Sequence, residues 1–126
     1  MRRMITLSIV LVTTGTLVAQ QAAISRTVLQ QADISVAGRE VVTVKAEFSN
    51  GATSGRHTHP GEEVTYVLEG ALTLEVEGAP TRVLKAGQAF LVPAGTVHNA
   101  TAIGGTVTAV ANYIVEKGKP LSTPVP

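Results

Sequence analysis

The chain has 126 residues, enough for one domain, and 44% of them are hydrophobic, which excludes disorder as the default state. It contains no cysteine, so disulfides, thiolate metal ligands and cysteine nucleophiles are excluded. Ten basic and nine acidic residues give a formal net charge of +1 without a basic cluster in the body of the chain, which argues against nucleic acid or an anionic membrane surface as a partner.

The N-terminus has the pattern of a secretory signal peptide. Two arginines in residues 1–4 precede an apolar stretch over residues 5–18, and the composition changes at Gln20. We therefore predict a signal peptide over residues 1–20, its boundary left open, and export to the periplasm or the medium. A retained membrane anchor is the alternative, although the apolar run is short for a span and is interrupted by threonines and a glycine. Cleavage would leave eight basic and nine acidic residues, a net charge of −1 and no stable membrane span.

The remaining residues, 21–126, are predicted to form one all-β domain. Residues 41–48 and 71–77 alternate apolar and polar side chains with period two, which is typical of strands with one buried face. Further strands are predicted over residues 63–69, 81–84, 89–92 and 106–115, with Gly- and Pro-containing turns between them. Residues 22–31 are predicted to be a short helix or an extended arm, and the Pro-rich tail, residues 119–126, to be extended on the surface or on a partner. Short strands with frequent turns indicate a sandwich or a barrel. The inward face of residues 41–48 is predicted to carry Val42, Val44, Ala46 and Phe48.

The three histidines of the chain lie where they could form a metal site. His57 and His59 are two residues apart, so both point to the same side of an extended segment. Glu63 opens the next predicted strand, and His98 follows a turn at the start of another. Three imidazoles and a carboxylate suit a divalent first-row metal and leave positions for water or substrate. The alternative is that His57 and His59 are exposed loop residues and that His98 is a hydrogen-bonded core histidine.

The spacing of these residues resembles the two motifs of the cupin superfamily. Gly51, five residues, His57-x-His59, three residues, Glu63, six residues and Gly70 match the first motif, and Gly87 through Pro93-x-Gly95 to His98 matches the second. The resemblance implies a double-stranded β-helix, or jelly-roll barrel, of six to eight strands with a short N-terminal arm. It also implies that His57, His59, Glu63 and His98 are the ligands of one metal inside the barrel. The second motif usually ends in Asn, and Ala102 stands there instead, which puts the local strand end in doubt but not the ligands.

Other residues are placed by their position along the strands. Thr65 and Val67 share the side of Glu63 and are predicted to line a cavity, as are Phe48 and Phe90. Glu62 and Arg56 have the opposite orientation and are predicted to face outward. Tyr66 and Tyr113 could reach the cavity, but an interface or an outer sheet face is the favoured interpretation. The outward run of Val64, Tyr66 and Leu68 predicts a homodimer, because small monomers seldom expose such an apolar face.

Function is less constrained than the site. The first hypothesis is a metal-dependent oxygenase that uses Fe, Mn, Ni, Cu or Zn and acts on a small, rather apolar substrate such as a phenolic or a diketone. The second is a barrel that holds a metal and binds a small ligand or a partner without turnover. An empty barrel used for assembly is a third. The fold cannot decide among them, because cupins serve many functions.

Overall fold

The computed structural model of the chain describes residues 23–126, so the predicted signal peptide lies outside the described residues. Every regular element within this range is a β-strand. No helix in the described part of the chain is long and apolar enough to cross a membrane. The strands are β1 (Ile24–Asp33), β2 (Arg39–Phe48), β3 (His57–Thr58), β4 (Gly61–Val76), β5 (Arg82–Lys85), β6 (Ala89–Val92), β7 (His98–Glu116) and β8 (Thr123–Pro124).

Two long antiparallel strands, β4 and β7, organise the fold. They pair with each other along most of their length. The other edge of β4 pairs with β6 along its first half and with β5 along its second half. The other edge of β7 pairs with β2, and β2 pairs with β1. The sheet therefore curls on itself into the all-β jelly-roll barrel that the sequence predicted.

The strands predicted separately over residues 63–69 and 71–77 are one continuous strand, β4, bent at Gly70. Gly70 has φ +81°, and a Cβ there would lie 2.2 Å from the carbonyl oxygen of Thr106. The register with β7 shifts twice here, between Val67 and Glu69 and, across this glycine, between Glu69 and Ala71. The glycine thus bends the strand without ending it. The final predicted strand, residues 106–115, is likewise only the second part of a longer strand, because β7 begins at His98.

Both ends of the described chain are strands. The segment predicted as a short helix or arm is β1, which pairs with β2 alone and is exposed along almost its whole length. At the other end, β8 pairs with β3, and the Val125 amide donates a hydrogen bond of 3.0 Å to the carbonyl of Arg56. The Pro-rich tail therefore lies on the barrel beside the two neighbouring histidines.

The core lies between the inward faces of the curled sheet. The predicted inward residues of β2, Val42, Val44, Ala46 and Phe48, are all buried. The larger buried cluster also contains Leu72 and Leu74 of β4, together with residues of β5, β6 and β7. A second, smaller cluster consists of Val42, Val44 and Val115, with Tyr113 and Leu121 packed against it.

Candidate metal centre

Three parts of the barrel bring the candidate ligands together. His57 lies on β3 and His59 directly after it, Glu63 is near the start of β4, and His98 is the first residue of β7. His57 and His98 are direct partners in the β3–β7 pairing. His59, Glu63 and His98 are buried and His57 is half-buried. One candidate ligand atom from each of the four residues lies within 4.8 Å of the other three.

The nitrogen and oxygen atoms of this group are spaced like the ligands of a single ion. His57 Nε2 and His59 Nε2 are 3.1 Å apart. Glu63 Oε2 is 3.2 Å from His59 Nε2 and 2.9 Å from His98 Nε2. Neighbouring ligands of an octahedral ion with bonds near 2.1 Å would be ~3.0 Å apart. The separations therefore fit a first-row divalent metal.

Each imidazole is oriented through its other nitrogen. The Nδ1 atoms of His57 and His98 lie 2.7 Å from the Gly55 carbonyl and 2.9 Å from the Thr96 carbonyl, in each case two residues earlier in the chain. The Nδ1 of His59 lies 2.6 Å from the carbonyl of Leu121, which is in the C-terminal tail. A carbonyl can only accept, so all three Nδ1 atoms carry protons and donate them. The three Nε2 atoms are therefore the ones that face the common centre, as in metal sites whose histidines are held by outer hydrogen bonds.

Glu63 is held as a carboxylate. Burial alone would raise the pKa of Glu63, but the contacts of its carboxylate with His59 and His98 and the hydrogen bond from Thr65 outweigh burial, so the pKa of Glu63 lies well below its usual range. The Thr65 hydroxyl donates to Glu63 Oε1 at 2.7 Å, while Oε2 faces the histidines. The carboxylate is thus charged at neutral pH, and one of its oxygens points to the centre.

His57 and His98 differ in the direction of their net pKa shifts. Burial lowers the pKa of His57, and the neighbouring His98 and His59 lower it further. Burial acts in the same direction on His98, but its hydrogen bonds to Glu63 and to the Thr96 carbonyl raise the pKa of His98 above its ordinary value. Without metal, a proton on His98 Nε2 would be donated to Glu63 Oε2, 2.9 Å away. A metal ion would replace that proton, since ligating imidazoles must be neutral.

The contact between His57 and His59 is the clearest sign that the group fits a cation. With both Nδ1 atoms donating to carbonyls, the two neutral rings present lone pairs to each other across 3.1 Å. Two facing acceptors are unfavourable unless a proton or a metal ion lies between them. The donor set of three imidazoles and one carboxylate suits a transition metal better than calcium or magnesium, which prefer oxygen ligands.

A small apolar cavity lies beside the group. Thr65, Phe48 and Phe90 line it, as the sequence predicted, whereas Val67 is buried in the core and is not part of the cavity wall. The free volume is about 50 Å³. The remaining apolar wall consists of Ala46, Leu72, Leu74, Ala100, Ala109 and Ala111.

Three features of the site were not foreseen from the sequence. Tyr113, for which the sequence favours an interface or an outer face over the cavity, lines the cavity with its ring 4.6 Å from that of His59. Its position follows the inward alternation of Val107, Ala109 and Ala111, so the signal was present in the sequence. Arg26 of β1 also lines the cavity, and the carbonyl of Leu121 holds His59. Neither of these had a sequence signal, because both depend on how distant segments pack.

Residues around the second motif take other roles. Arg56 pairs with Glu77 at 3.3 Å and both side chains are exposed, as predicted for an outward arginine. Ala102, which replaces the usual Asn, is buried within β7, and its amide donates to the carbonyl of Ala52. Asn99 accepts hydrogen bonds from Thr53 and Ser54. The departure at Ala102 therefore leaves the strand intact and does not touch the four candidate ligands.

The fold and this four-residue group define a β-barrel domain with a candidate metal centre. The model of the Cupin domain family matches residues 44–118, more than half of the chain, and the chain belongs to that family. It is 42% identical over 52 residues to the uncharacterized protein YdbB of Bacillus subtilis (strain 168), a match that covers 40% of this chain and 46% of that protein. The chain thus matches less than half the length of this curated relative.

Solved structures show the same fold. A cupin-like protein from Thermotoga maritima superposes with a TM-score of 0.67 at 21% identity, over 81% of this chain and 75% of the other. An oxalate oxidase in complex with the substrate analogue glycolate superposes with a TM-score of 0.63 at 22% identity, over 82% of this chain and 61% of the other. At these identities the likeness concerns the fold alone.

Proposed function

We propose that this cupin is a metal-dependent enzyme of the oxygenase type, acting on a small and largely apolar substrate. The observation that carries the proposal is the convergence of His57, His59, Glu63 and His98 beside an apolar cavity. Four protein ligands on a six-coordinate ion would leave room for substrate or dioxygen. Fe(II), Mn(II), Ni(II), Cu(II) and Zn(II) all suit this donor set, and relative affinity does not select the metal loaded in a cell.

When bound, the metal would supply Lewis acidity and oxygen chemistry that the side chains themselves lack. The chain has no cysteine, and its three histidines all belong to the candidate centre, so a Ser-His-Asp arrangement would take a ligand away. The contributions of the protein are therefore orientation and environment. Thr65 fixes the Glu63 carboxylate, three carbonyls fix the imidazoles, and the apolar wall restricts water.

Tyr113 is a further side chain in the cavity wall that can hold a proton near the candidate centre. Burial, and then the Glu63 carboxylate, raise the pKa of Tyr113 well above its ordinary value. Its hydroxyl therefore stays protonated and can donate a hydrogen bond to a bound oxygen atom.

A barrel that holds a metal and a ligand without turnover is the second candidate. It is favoured by the cavity wall, in which, among the described residues, Glu63 is the only carboxylate and His57 and His98 are the only histidines. No separate acid–base pair is thus available there beyond the candidate ligands and Tyr113.

Metal binding is tested first. We expect the wild-type domain to bind one divalent ion per chain, and His59→Ala and His98→Ala to bind at least tenfold more weakly, since each loses one of four ligands. Thr58→Ala is the matched control because Thr58 lies between the two histidines and is outside the group. Metal content equal to that of wild type in both histidine variants would contradict the assignment.

Turnover is tested on the loaded protein. Oxygen uptake is measured with phenolics and diketones for each of the five metals, and chelation should abolish any rate until one particular ion is restored. Turnover that persists in metal-free protein would refute the mechanism. Tight metal binding without turnover of any of these compounds would favour the non-catalytic barrel.

A further inference from the structure

Arg26 places an unpaired positive charge at the cavity. It lies on β1 directly opposite Ala46, and both residues line the cavity wall. Among the described residues, no other lysine or arginine does so. Arg26 is exposed, and its side chain forms no salt bridge or side-chain hydrogen bond with any group in residues 23–126. Its guanidinium donors are thus free for a ligand.

The charges at the cavity do not balance. A divalent ion held by three neutral imidazoles and the Glu63 carboxylate carries a net charge of +1, and Arg26 adds another. The wall between them is mainly alanine, leucine and phenylalanine. Glu63 already receives hydrogen bonds from Thr65 and His98, so it does not need Arg26 as a partner. A cavity with a net positive charge and a largely apolar wall attracts an anion and disfavours a cation.

A second donor faces the same space. The Tyr113 hydroxyl forms no hydrogen bond with any group in the described part of the chain, although its ring is packed against His59. The Tyr113 side chain is half-buried, and a ligand oxygen in the cavity can accept a hydrogen bond from its hydroxyl. Because the phenol and the guanidinium line the same cavity, both donors are available to one anionic group bound there.

The cavity also limits the size of the ligand. Its 50 Å³ corresponds to about four water-sized positions when each needs roughly 10–15 Å³. A ligand with a charged end and a short hydrocarbon body uses both the polar donors and the apolar wall.

We propose that the substrate is a small monoanion, a carboxylate on a short apolar body, whose carboxylate is bound by Arg26 with a hydrogen bond from Tyr113. This inference rests on the proposed metal-dependent function and names the substrate class of that same site. Arg26 selects for a negatively charged ligand, because its planar guanidinium can donate to both oxygens of a carboxylate. A neutral amide of the same shape would lose the charge-assisted part of that contact.

The test uses the domain loaded with Co(II), whose visible spectrum reports ligands entering the metal environment. Propionate and its neutral counterpart propionamide are titrated separately, and the dissociation constants are compared. We expect propionate to bind at least tenfold more tightly than propionamide. Arg26→Gln should weaken propionate binding about 10- to 100-fold, the range for loss of a hydrogen bond to a charged group, and leave propionamide nearly unchanged. Tyr113→Phe should weaken propionate binding about two- to tenfold.

Lys45→Gln is the matched control. Lys45 precedes the cavity residue Ala46 on β2, but it pairs with Glu47 and does not line the cavity. The Lys45→Gln substitution also removes one positive charge from this region, so a general electrostatic effect would appear in both variants. Arg26→Lys keeps the positive charge but lacks the planar guanidinium, so it should bind propionate with an intermediate affinity.

The outcomes separate this inference from the function on which it rests. If Co(II) does not bind to the wild-type domain, the proposed function fails and the inference with it. If Co(II) binds but propionate binds no better than propionamide, or equally well to Arg26→Gln, the metal centre stands and the anionic substrate is refuted. Equal losses in Arg26→Gln and Lys45→Gln would also refute it.

Discussion

Removing the C-terminal tail should weaken metal binding, although the tail contributes no ligand. A chain that ends at Pro120 lacks the Leu121 carbonyl, which accepts the Nδ1 hydrogen bond of His59 at 2.6 Å. Without that acceptor, the ring of His59 is free to rotate or to place its proton on Nε2, the nitrogen that must face the metal. Loss of such an outer hydrogen bond typically costs 10- to 100-fold in metal affinity.

The expected loss corresponds to about 1.4–2.8 kcal/mol of metal-binding free energy at 1.4 kcal/mol per tenfold. The truncation also removes β8, whose pairing with β3 involves only two residue pairs. It removes the side chain of Leu121 as well, which packs against Val42, Val44 and Val115. The metal-free protein should therefore melt at a somewhat lower temperature, and this stability effect must be separated from the loss of the carbonyl.

Leu121→Ala makes that separation, because it removes the packing and keeps the carbonyl. Metal affinity is measured by competition with a chelator of known affinity, and the melting temperature of the metal-free protein is measured in parallel. We expect Leu121→Ala to lose stability but to bind metal within about threefold of wild type, and the truncated chain to lose both. A truncated chain that binds metal as tightly as wild type would refute the positioning of His59 by the tail.

Three further predictions concern the fold, the assembly and the fate of the chain. Gly70→Ala and Gly78→Ala both place alanine at positive φ, which costs about 1–2 kcal/mol, but only at Gly70 would the Cβ meet a carbonyl oxygen at 2.2 Å. Chemical denaturation should show Gly70→Ala to be about 1–3 kcal/mol less stable than Gly78→Ala, and equal stabilities would contradict the tight bend. On the outer face, Tyr66 and Leu68 of β4 are each 46% exposed and Leu91 of β6 is 57% exposed, so we expect a dimer by light scattering at micromolar concentration. A monomer mass would reject it. We also expect intact-mass measurement of exported protein to show loss of about the first twenty residues. A full-length cytosolic species would refute export, and a full-length membrane-bound species would favour the anchor.

Much of the barrel could be predicted because strand periodicity is a local property. The inward alternation in residues 41–48 depends only on the two-residue repeat of an extended chain, and its four inward side chains are buried as expected. The same repeat explains why His57 and His59 project together. The combined spacing from Gly51 to His98 indicated the cupin family, which the match over residues 44–118 confirms. Metal binding by the four residues stays a prediction.

The parts that could not be predicted depend on contacts between segments far apart in the chain. Leu121 is 62 residues from His59, and no local pattern in the Pro-rich tail indicates that one of its carbonyls holds a histidine. Arg26 reaches the cavity only because β1 pairs with β2 and closes that side of the sheet. The predicted break at Gly70 was wrong for a different reason. Glycine both ends strands and bends them, and only the pairing with β7 tells which of these it does here.

The way the three imidazoles are held links the metal centre to the closure of the barrel. Gly55 and Thr96 are each two residues from the histidine they orient, so those contacts can form as soon as the local turn forms. The third contact, from His59 to Leu121, exists only when the end of the chain has returned to β3. A metal ion that needs all three Nε2 atoms would therefore bind the fully closed barrel more tightly than any state in which the tail has detached. By the same linkage, metal binding would hold the tail on the barrel, and we expect β8 to be the first described strand to open when the metal is removed.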